Sequence, residues 1–199
     1  MVSEDRDYVE RILSGEAEVF DLLVRKYNRM AGAIAYGILG DFHEAEDVVQ
    51  EAFLKAFRAL HALRDPGKFR AWFCGLTRTT ALDALRQRPD RRAVNVSSIV
   101  RGQSGLGEAL GGDRGFRMVP GRLSASVEEE QIREESRQKV LDAVRELGPE
   151  DRLVVALKHM EGLSYKEIAD ITGTSVSAVE SRLFRARQIL KKKLDPSRI

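Results

Sequence analysis

The segment LSYKEIADITGTSVSAVESRLFRARQILKKKL, residues 163–194, has the pattern of two short helices joined by a tight turn. Ser164, with Glu167 three residues later, forms the capping-box pattern that opens a helix. Gly173 is placed to end that helix, and the hydroxyl side chains that follow it can cap the next one. The segment therefore predicts a helix-turn-helix motif.

The second helix of this motif divides into an apolar stripe and a polar face at about 100° per residue. The stripe that must face a core comprises Val176, Val179, Leu183, Ala186, Leu190 and Leu194. The opposite face comprises Ser177, Ser181, Arg182, Arg185, Gln188 and Lys192, with Glu180 and Phe184 to one side. Serines permit close approach to bases and arginines can contact guanine or phosphate, so this face fits a DNA major groove. A solvated basic face on an ordinary surface helix is the alternative.

Helical spacing also dominates from Asp5 to about Arg88, with breaks at Gly40 and at residues 64–67, and it returns from about Val127. No convincing alternating pattern of a strand is present, so we predict an all-α fold. Residues 93–127 hold seven of the sixteen glycines and almost no apolar periodicity. We therefore predict two small helical domains, residues 5–92 and 128–199, joined by a long flexible linker at 93–127.

Charge is unevenly distributed along the chain, although the formal total is only +2. Residues 1–60 carry twelve acidic and seven basic groups, whereas residues 61–92 carry eight basic and three acidic groups. Residues 175–194 carry six basic groups and one acidic group. Two basic patches in a nearly neutral chain indicate contact with a polyanion at two places and a different partner elsewhere.

Several classes of protein are disfavoured by composition. The single cysteine, Cys74, excludes an internal disulfide and a cysteine-based zinc cluster. We expect it to be a buried thiol, with a redox sensor as the alternative. The charged start is unlike a signal peptide, and no stretch approaches the roughly 20 apolar residues of a membrane span, so we predict a cytoplasmic protein. A metal enzyme built on residues 43–47 is disfavoured because adjacent helical positions point in different directions. We expect no cofactor.

Two segments in the N-terminal part carry the remaining functional signal. The first, DFHEAEDVVQEAFLKAFRAL, spans residues 41–60. Outside its apolar stripe lies a mixed acidic and apolar ridge, formed by Asp47, Gln50, Glu51, Leu54 and Arg58. This ridge suits docking on a basic partner helix, and an exposed face with ordinary i, i+4 ion pairs is the alternative.

The second segment, FRAWFCGLTRTTALDALRQR at residues 69–88, combines basic and aromatic side chains and follows the loop at residues 61–68. This combination suits single-stranded DNA, whose bases stack on rings and whose phosphates meet cations. Trp72 is as compatible with a core position as with a DNA-facing one, because helical spacing puts it near Leu76.

These blocks together resemble the extracytoplasmic-function (ECF) group of sigma-70-type sigma factors. AEDVVQEAFLKAF, residues 45–57, is similar to region 2.2, which docks on the clamp helices of the polymerase β′ subunit. Residues 69–87 are similar to regions 2.3–2.4, which recognise and help melt the −10 element. Residues 146–190 are similar to region 4, which binds the −35 element and the β flap. The resemblance implies a non-enzymatic subunit that directs core RNA polymerase to promoter DNA and commonly has an anti-sigma partner.

The resemblance also implies roles for individual residues. The core polymerase contact is assigned to Asp47, Gln50 and Glu51. Ser181, Phe184 and Arg185 match the family's −35 contact positions, with Arg182 as a neighbour, and the polar face of the helix adds Ser177 to the predicted −35 set. The basic and aromatic pattern places the predicted −10 contacts at Lys68, Arg70, Trp72, Arg78 and Thr79. Thr79 lies in a stretch where the family usually carries Asn, which bears on the −10 sequence read there. The alternative is a classical helix-turn-helix regulator with a sensing domain, which would bind operators without polymerase.

Overall fold

The computed structural model describes residues 4–88 and 127–194, with side chains described from residue 135 in the second range. These residues form eight α-helices and no strand. The helices are α1 (Glu4–Leu13), α2 (Phe20–Leu39), α3 (Phe42–Ala59), α4 (Phe69–Gln87), α5 (Val127–Arg145), α6 (Pro149–His159), α7 (Tyr165–Thr172) and α8 (Val176–Lys193). The predicted all-α class is confirmed. The predicted linker, apart from Val127, lies outside the described residues.

Helices α1–α4 form an N-terminal bundle around α2. The second half of α2 is buried all round, with every residue from Ala31 to Leu39 inaccessible, because α3 and α4 pack on one side of it and α6 on another. An aromatic cluster fills the bundle, in which Phe73 stacks on Phe53 at 4.5 Å and on Phe69 at 5.6 Å between ring centroids. This packing fixes the orientation of α3 and α4.

The turns of the N-terminal bundle follow from local chemistry at the predicted breaks. Gly40 ends α2 in the left-handed conformation at φ 73°, which glycine adopts without strain. Asp41 caps α3 by accepting hydrogen bonds from the backbone of His43 and Glu44. Asp65 caps the 3₁₀ turn Pro66–Lys68 that leads into α4. Both predicted breaks are confirmed.

Helices α5–α8 form a C-terminal bundle that contains the predicted helix-turn-helix, α7 and α8. Ser164 and Glu167 form the capping box, and Gly173 ends α7 at φ 67°. Ser175 then caps α8 by accepting a hydrogen bond from the backbone of Ala178. The motif therefore forms with the boundaries that the sequence indicates.

The apolar stripe of α8 is buried only in its middle. Val179, Leu183 and Ala186 are buried, whereas Val176 and Leu194 are 42% and 39% exposed. The prediction that the stripe faces the core along its whole length is wrong at both ends, because the neighbouring helices cover only the central turns of α8.

The two bundles pack directly against each other, and their buried side chains form one continuous core. The main contact runs between α2 and α6, where Leu153 of α6 lies against Gly37 of α2. Helix α7 also meets α4. This packing also places Arg78 of α4 and Arg182 of α8 on the wall of one small cavity. None of the described helices is long and apolar enough to cross a bilayer.

Candidate nucleic-acid interface

The outer face of α8 presents small hydroxyls, an aromatic ring and basic groups to solvent. Ser177, Ser181 and Arg185 are exposed, as the helical wheel predicts. Phe184 is 65% exposed, although a phenyl ring in water is costly. An exposed aromatic next to serines and an arginine forms a surface that can meet base edges, thymine methyl groups and phosphates.

Arg182 is less accessible than the wheel predicts. Its side chain is 17% exposed, and it forms a 2.5 Å ion pair with Glu150 in the first turn of α6. Arg185 stays 61% exposed and lies 3.8 Å from Asp151 of the same turn. Burial raises the pKa of the Asp151 carboxyl, and the two arginines oppose that shift. A wheel drawn for α8 alone cannot show this pairing, because the carboxylates belong to another helix.

Two of the predicted −10 cations, Arg70 and Arg78 of α4, face residues of the C-terminal bundle. Arg70 forms a 3.0 Å ion pair with Glu167 of α7. Arg78 is half-buried, and burial lowers the pKa of its guanidinium while the charge of Glu150 opposes that shift. Lys68, at the N-terminus of α4, is exposed. The structure therefore places these cations on α4 and the turn before it, with Lys68 exposed, the Arg70 side chain 39% exposed beside Glu167, and Arg78 half-buried.

Trp72 and Thr79 complete the predicted −10 set. Trp72 is half-buried and packs on Phe69 with ring centroids 5.8 Å apart, so it has both a core contact and an accessible edge. The Thr79 hydroxyl donates a hydrogen bond to the carbonyl of Gly75, one turn earlier in α4, at 3.0 Å. Its oxygen retains the capacity to accept a hydrogen bond from a base.

The outer face of α3 carries the predicted acidic and apolar ridge. Asp47 and Glu51 are exposed and Gln50 is half-buried, while Glu51 forms an i, i+4 ion pair with Lys55 at 2.7 Å. The sequence reasoning missed Phe57, which is 45% exposed and packs against Phe20 at 5.0 Å. The sequence does indicate this position, because Phe57 lies seven residues after Gln50 and therefore on the same face of the helix.

Outside these faces, the side chains that could carry chemistry are Cys74 and the histidine and acidic residues. Cys74 is buried 3.3 Å from the Met30 sulfur, and burial raises the pKa of its thiol to about 12. The interpretation as a buried thiol is confirmed. In the part of the chain that the structure describes, no three His, Cys, Asp or Glu side chains are close enough to share a metal ion.

Comparison with known proteins matches both halves of the chain. Residues 23–90 match the family model of Sigma-70 region 2, and residues 137–190 match that of Sigma-70, region 4. The chain is 34% identical to the RNA polymerase sigma-H factor of Pseudomonas aeruginosa, over 97% of this chain and 95% of that protein. It is 33% identical to the ECF RNA polymerase sigma-E factor of Escherichia coli K12, over 96% and 95%.

Solved structures give the same picture of the fold. CnrH in complex with the cytosolic domain of CnrY aligns with a TM-score of 0.61 and 26% identity, over 96% of this chain and 97% of that chain. The sigma factor RpoE of Bartonella quintana, in complex with the anti-sigma factor NepR, aligns with a TM-score of 0.57 and 23% identity, over 89% and 97%.

Proposed function

This chain belongs to the ECF group of sigma-70 RNA polymerase sigma factors, and from this premise we propose how its described faces direct core polymerase to promoters. One observation carries the proposal. The chain combines a capped helix-turn-helix, whose outer face is open at Ser181 and Arg185, with an acidic and apolar ridge on α3. A DNA-binding module alone has no need of the second face.

We assign −35 recognition to the C-terminal domain, residues 128–199. The contact set on α8 is Ser177, Ser181, Arg182, Phe184 and Arg185. Support comes from the exposure of this face and from the carboxylates of α6, which orient two of its arginines. Arg185 is the best placed to contact guanine or phosphate because most of its side chain is free of the protein surface.

We assign −10 recognition to the N-terminal domain, residues 5–92. The contact set is Lys68, Arg70, Trp72, Arg78 and Thr79, on α4 and the turn before it. Unpairing and unstacking a base costs a few kcal/mol, and stacking on an aromatic side chain returns about 1–3 kcal/mol per base. Capture of one or two non-template bases against this surface would therefore bias the promoter toward the open state.

We assign the core polymerase contact to the ridge of α3, with Asp47, Gln50 and Glu51 meeting the β′ clamp helices. Phe57 extends this ridge with an exposed ring. The C-terminal domain would meet the β flap, and residues 93–127 would link the two domains on the enzyme. The protein would act in the cytoplasm, by binding and without catalysis or a cofactor, and an anti-sigma factor would control its access to core enzyme.

Run-off transcription with purified core enzyme on a library of promoter fragments tests this function. We expect the chain to support initiation from a subset of fragments that share two conserved elements at −35 and −10 spacing. Core enzyme alone is the control. No gain of initiation over core enzyme alone would contradict the proposal.

A further inference from the structure

The cap and first turns of α8 carry one long polar side chain on an otherwise small or apolar surface. Residues 175–181 read SVSAVES, so Glu180 has the only charged side chain of this stretch and the only one longer than that of valine. Ser177, Glu180 and Ser181 are exposed, whereas Val179 is buried. Because the N-terminal residues of a recognition helix meet the base edges in the major groove, Glu180 is placed to read sequence.

Glu180 lies beside predicted −35 residues and has no basic neighbour along its own helix. Its i−3 and i+4 neighbours are Ser177 and Phe184, which are both exposed, and its i−4 and i+3 neighbours are Val176 and Leu183. An intrahelical ion pair, the ordinary reason for an exposed acid on a basic helix, is therefore excluded. Among residues 4–88 and 127–194 its carboxylate also has no ion pair with another helix.

The carboxylates of α6 that face α8 have a different position. Glu150 pairs with Arg182, and Asp151 is 7% exposed and lies 3.8 Å from Arg185. These two acids lie against the inner side of α8 and orient its arginines. The Glu180 carboxylate instead lies on the solvent side of the helix, where bound DNA would meet it.

A carboxylate in the major groove finds few partners among the bases, because it only accepts hydrogen bonds. Guanine presents the acceptors N7 and O6 in this groove, and thymine presents O4 and a methyl group. Adenine offers the N6 amino group but places the acceptor N7 beside it, whereas cytosine offers the N4 amino group with no acceptor of its own. Phosphates repel the carboxylate as a like charge. Cytosine is therefore the base that fits Glu180 best.

We propose that Glu180 is a specificity-determining residue of the −35 contact, which accepts a hydrogen bond from the N4 amino group of one cytosine. The inference rests on the proposed −35 role of α8 and adds a residue outside the contact set assigned above. Glu180 disfavours guanine and thymine at that position, and its charge weakens binding to DNA of every sequence. Selectivity thus comes from rejection of wrong bases as well as from the contact with cytosine.

Run-off transcription with core enzyme tests the role of Glu180, on a promoter from the fragment library whose −35 positions are varied one at a time to all four bases. Wild-type chain is expected to favour cytosine over guanine and thymine at one position by roughly fivefold or more. Glu180→Gln should move the preference there to adenine, because glutamine pairs with N6 and N7 of that base. Glu180→Arg should move it to guanine, because arginine pairs with O6 and N7. Preferences at the other −35 positions should stay those of wild type.

Asp170→Asn is the matched control, because Asp170 is an exposed acid on α7 and its replacement removes one charge from the same bundle without altering α8. It should leave the base preference at every −35 position unchanged. Glutamine and arginine are good helix formers, so both Glu180 variants should keep the helical content of wild type by circular dichroism.

Three results overturn the role of Glu180. They are a wild-type chain with no preference for cytosine at any −35 position, an unchanged base preference in both Glu180 variants, and an equal shift of preference in Asp170→Asn, which net charge would explain. Failure of the wild-type chain to initiate with core enzyme on any fragment is a different result, because it overturns the proposed function and the inference that rests on it.

Discussion

Arg182 and Arg185 differ in their surroundings although they lie three residues apart on α8. The first is held by Glu150 with 17% of its side chain exposed, and the second is 61% exposed beside Asp151. The contact with the buried Asp151 carboxylate is long, at 3.8 Å, and most of the Arg185 side chain is in solvent, so its paired donors are available to a DNA group. Arg182, held by Glu150, also fixes the orientation of α8 against α6.

Replacement of Arg185 by alanine is therefore expected to weaken −35-dependent transcription without weakening core binding. Loss of a bidentate guanine contact costs about 1–3 kcal/mol, or roughly 5- to 150-fold in promoter strength. Run-off transcription and a core-binding titration measure the two effects. Arg187→Ala, an exposed arginine about 200° further round α8, is the control. An equal loss of core affinity in Arg185→Ala would contradict the assigned role.

The burial of Cys74 predicts that its thiol is unreactive in the folded chain. Because it is 1% exposed and burial raises the pKa of its thiol to about 12, the folded chain at pH 8 should react only slowly with a thiol-directed reagent. In urea the same thiol should react rapidly, since its pKa returns to about 8.5. The pKa of the Cys74 thiol is higher in the folded chain than in the unfolded chain. Its contribution to the free energy of unfolding is therefore complete below the unfolded pKa of about 8.5 and is lost as the pH rises toward the folded pKa. Rapid labelling without denaturant would contradict the buried position.

The elements were largely predictable because their boundaries depend on local chemistry. Ser164, Glu167 and Gly173 act on neighbours within a few residues, and the helix-turn-helix forms where the sequence places it. The exposures of Arg70 and Arg182 were not predictable, because their carboxylate partners lie on other helices. Gly37 gave a local hint, since a glycine inside a helical run often marks a close approach.

The capping box of α7 is testable at the scale of the element. Ser164→Ala removes the hydroxyl that accepts from the Glu167 backbone, and we expect the free energy of unfolding to fall by about 1 kcal/mol. Urea denaturation followed by circular dichroism measures it. Ser164→Thr keeps a capping hydroxyl and should remain close to wild type. Equal loss in both variants would contradict the capping role.

Core polymerase and promoter DNA, the proposed partners, would contact different faces of the molecule. The ridge of α3 lies on the N-terminal bundle, whereas the α8 face lies on the C-terminal bundle. A double charge reversal, Asp47→Lys with Glu51→Lys, is expected to weaken core polymerase binding by roughly tenfold or more, because like charges across an interface cost several kcal/mol. A pull-down titration with core enzyme measures this loss.

Asp21→Lys is the matched control for that charge reversal, because Asp21 is exposed on α2 and pairs only locally with Arg25 in a described i, i+4 contact. It should bind core enzyme like wild type. Both variants should keep the helical content of wild type by circular dichroism. A double variant that binds core enzyme normally would contradict the assignment of the α3 ridge.

The central claim is that this chain reads promoters as part of RNA polymerase and not by itself. A gel shift of one promoter fragment from the transcription library, with and without core enzyme, tests it most directly. We predict a sequence-specific complex only when chain and core enzyme are both present, and weak, salt-sensitive binding by the chain alone. Tight, sequence-specific binding by the chain alone, unchanged by core enzyme, would contradict the claim and identify an operator-binding regulator.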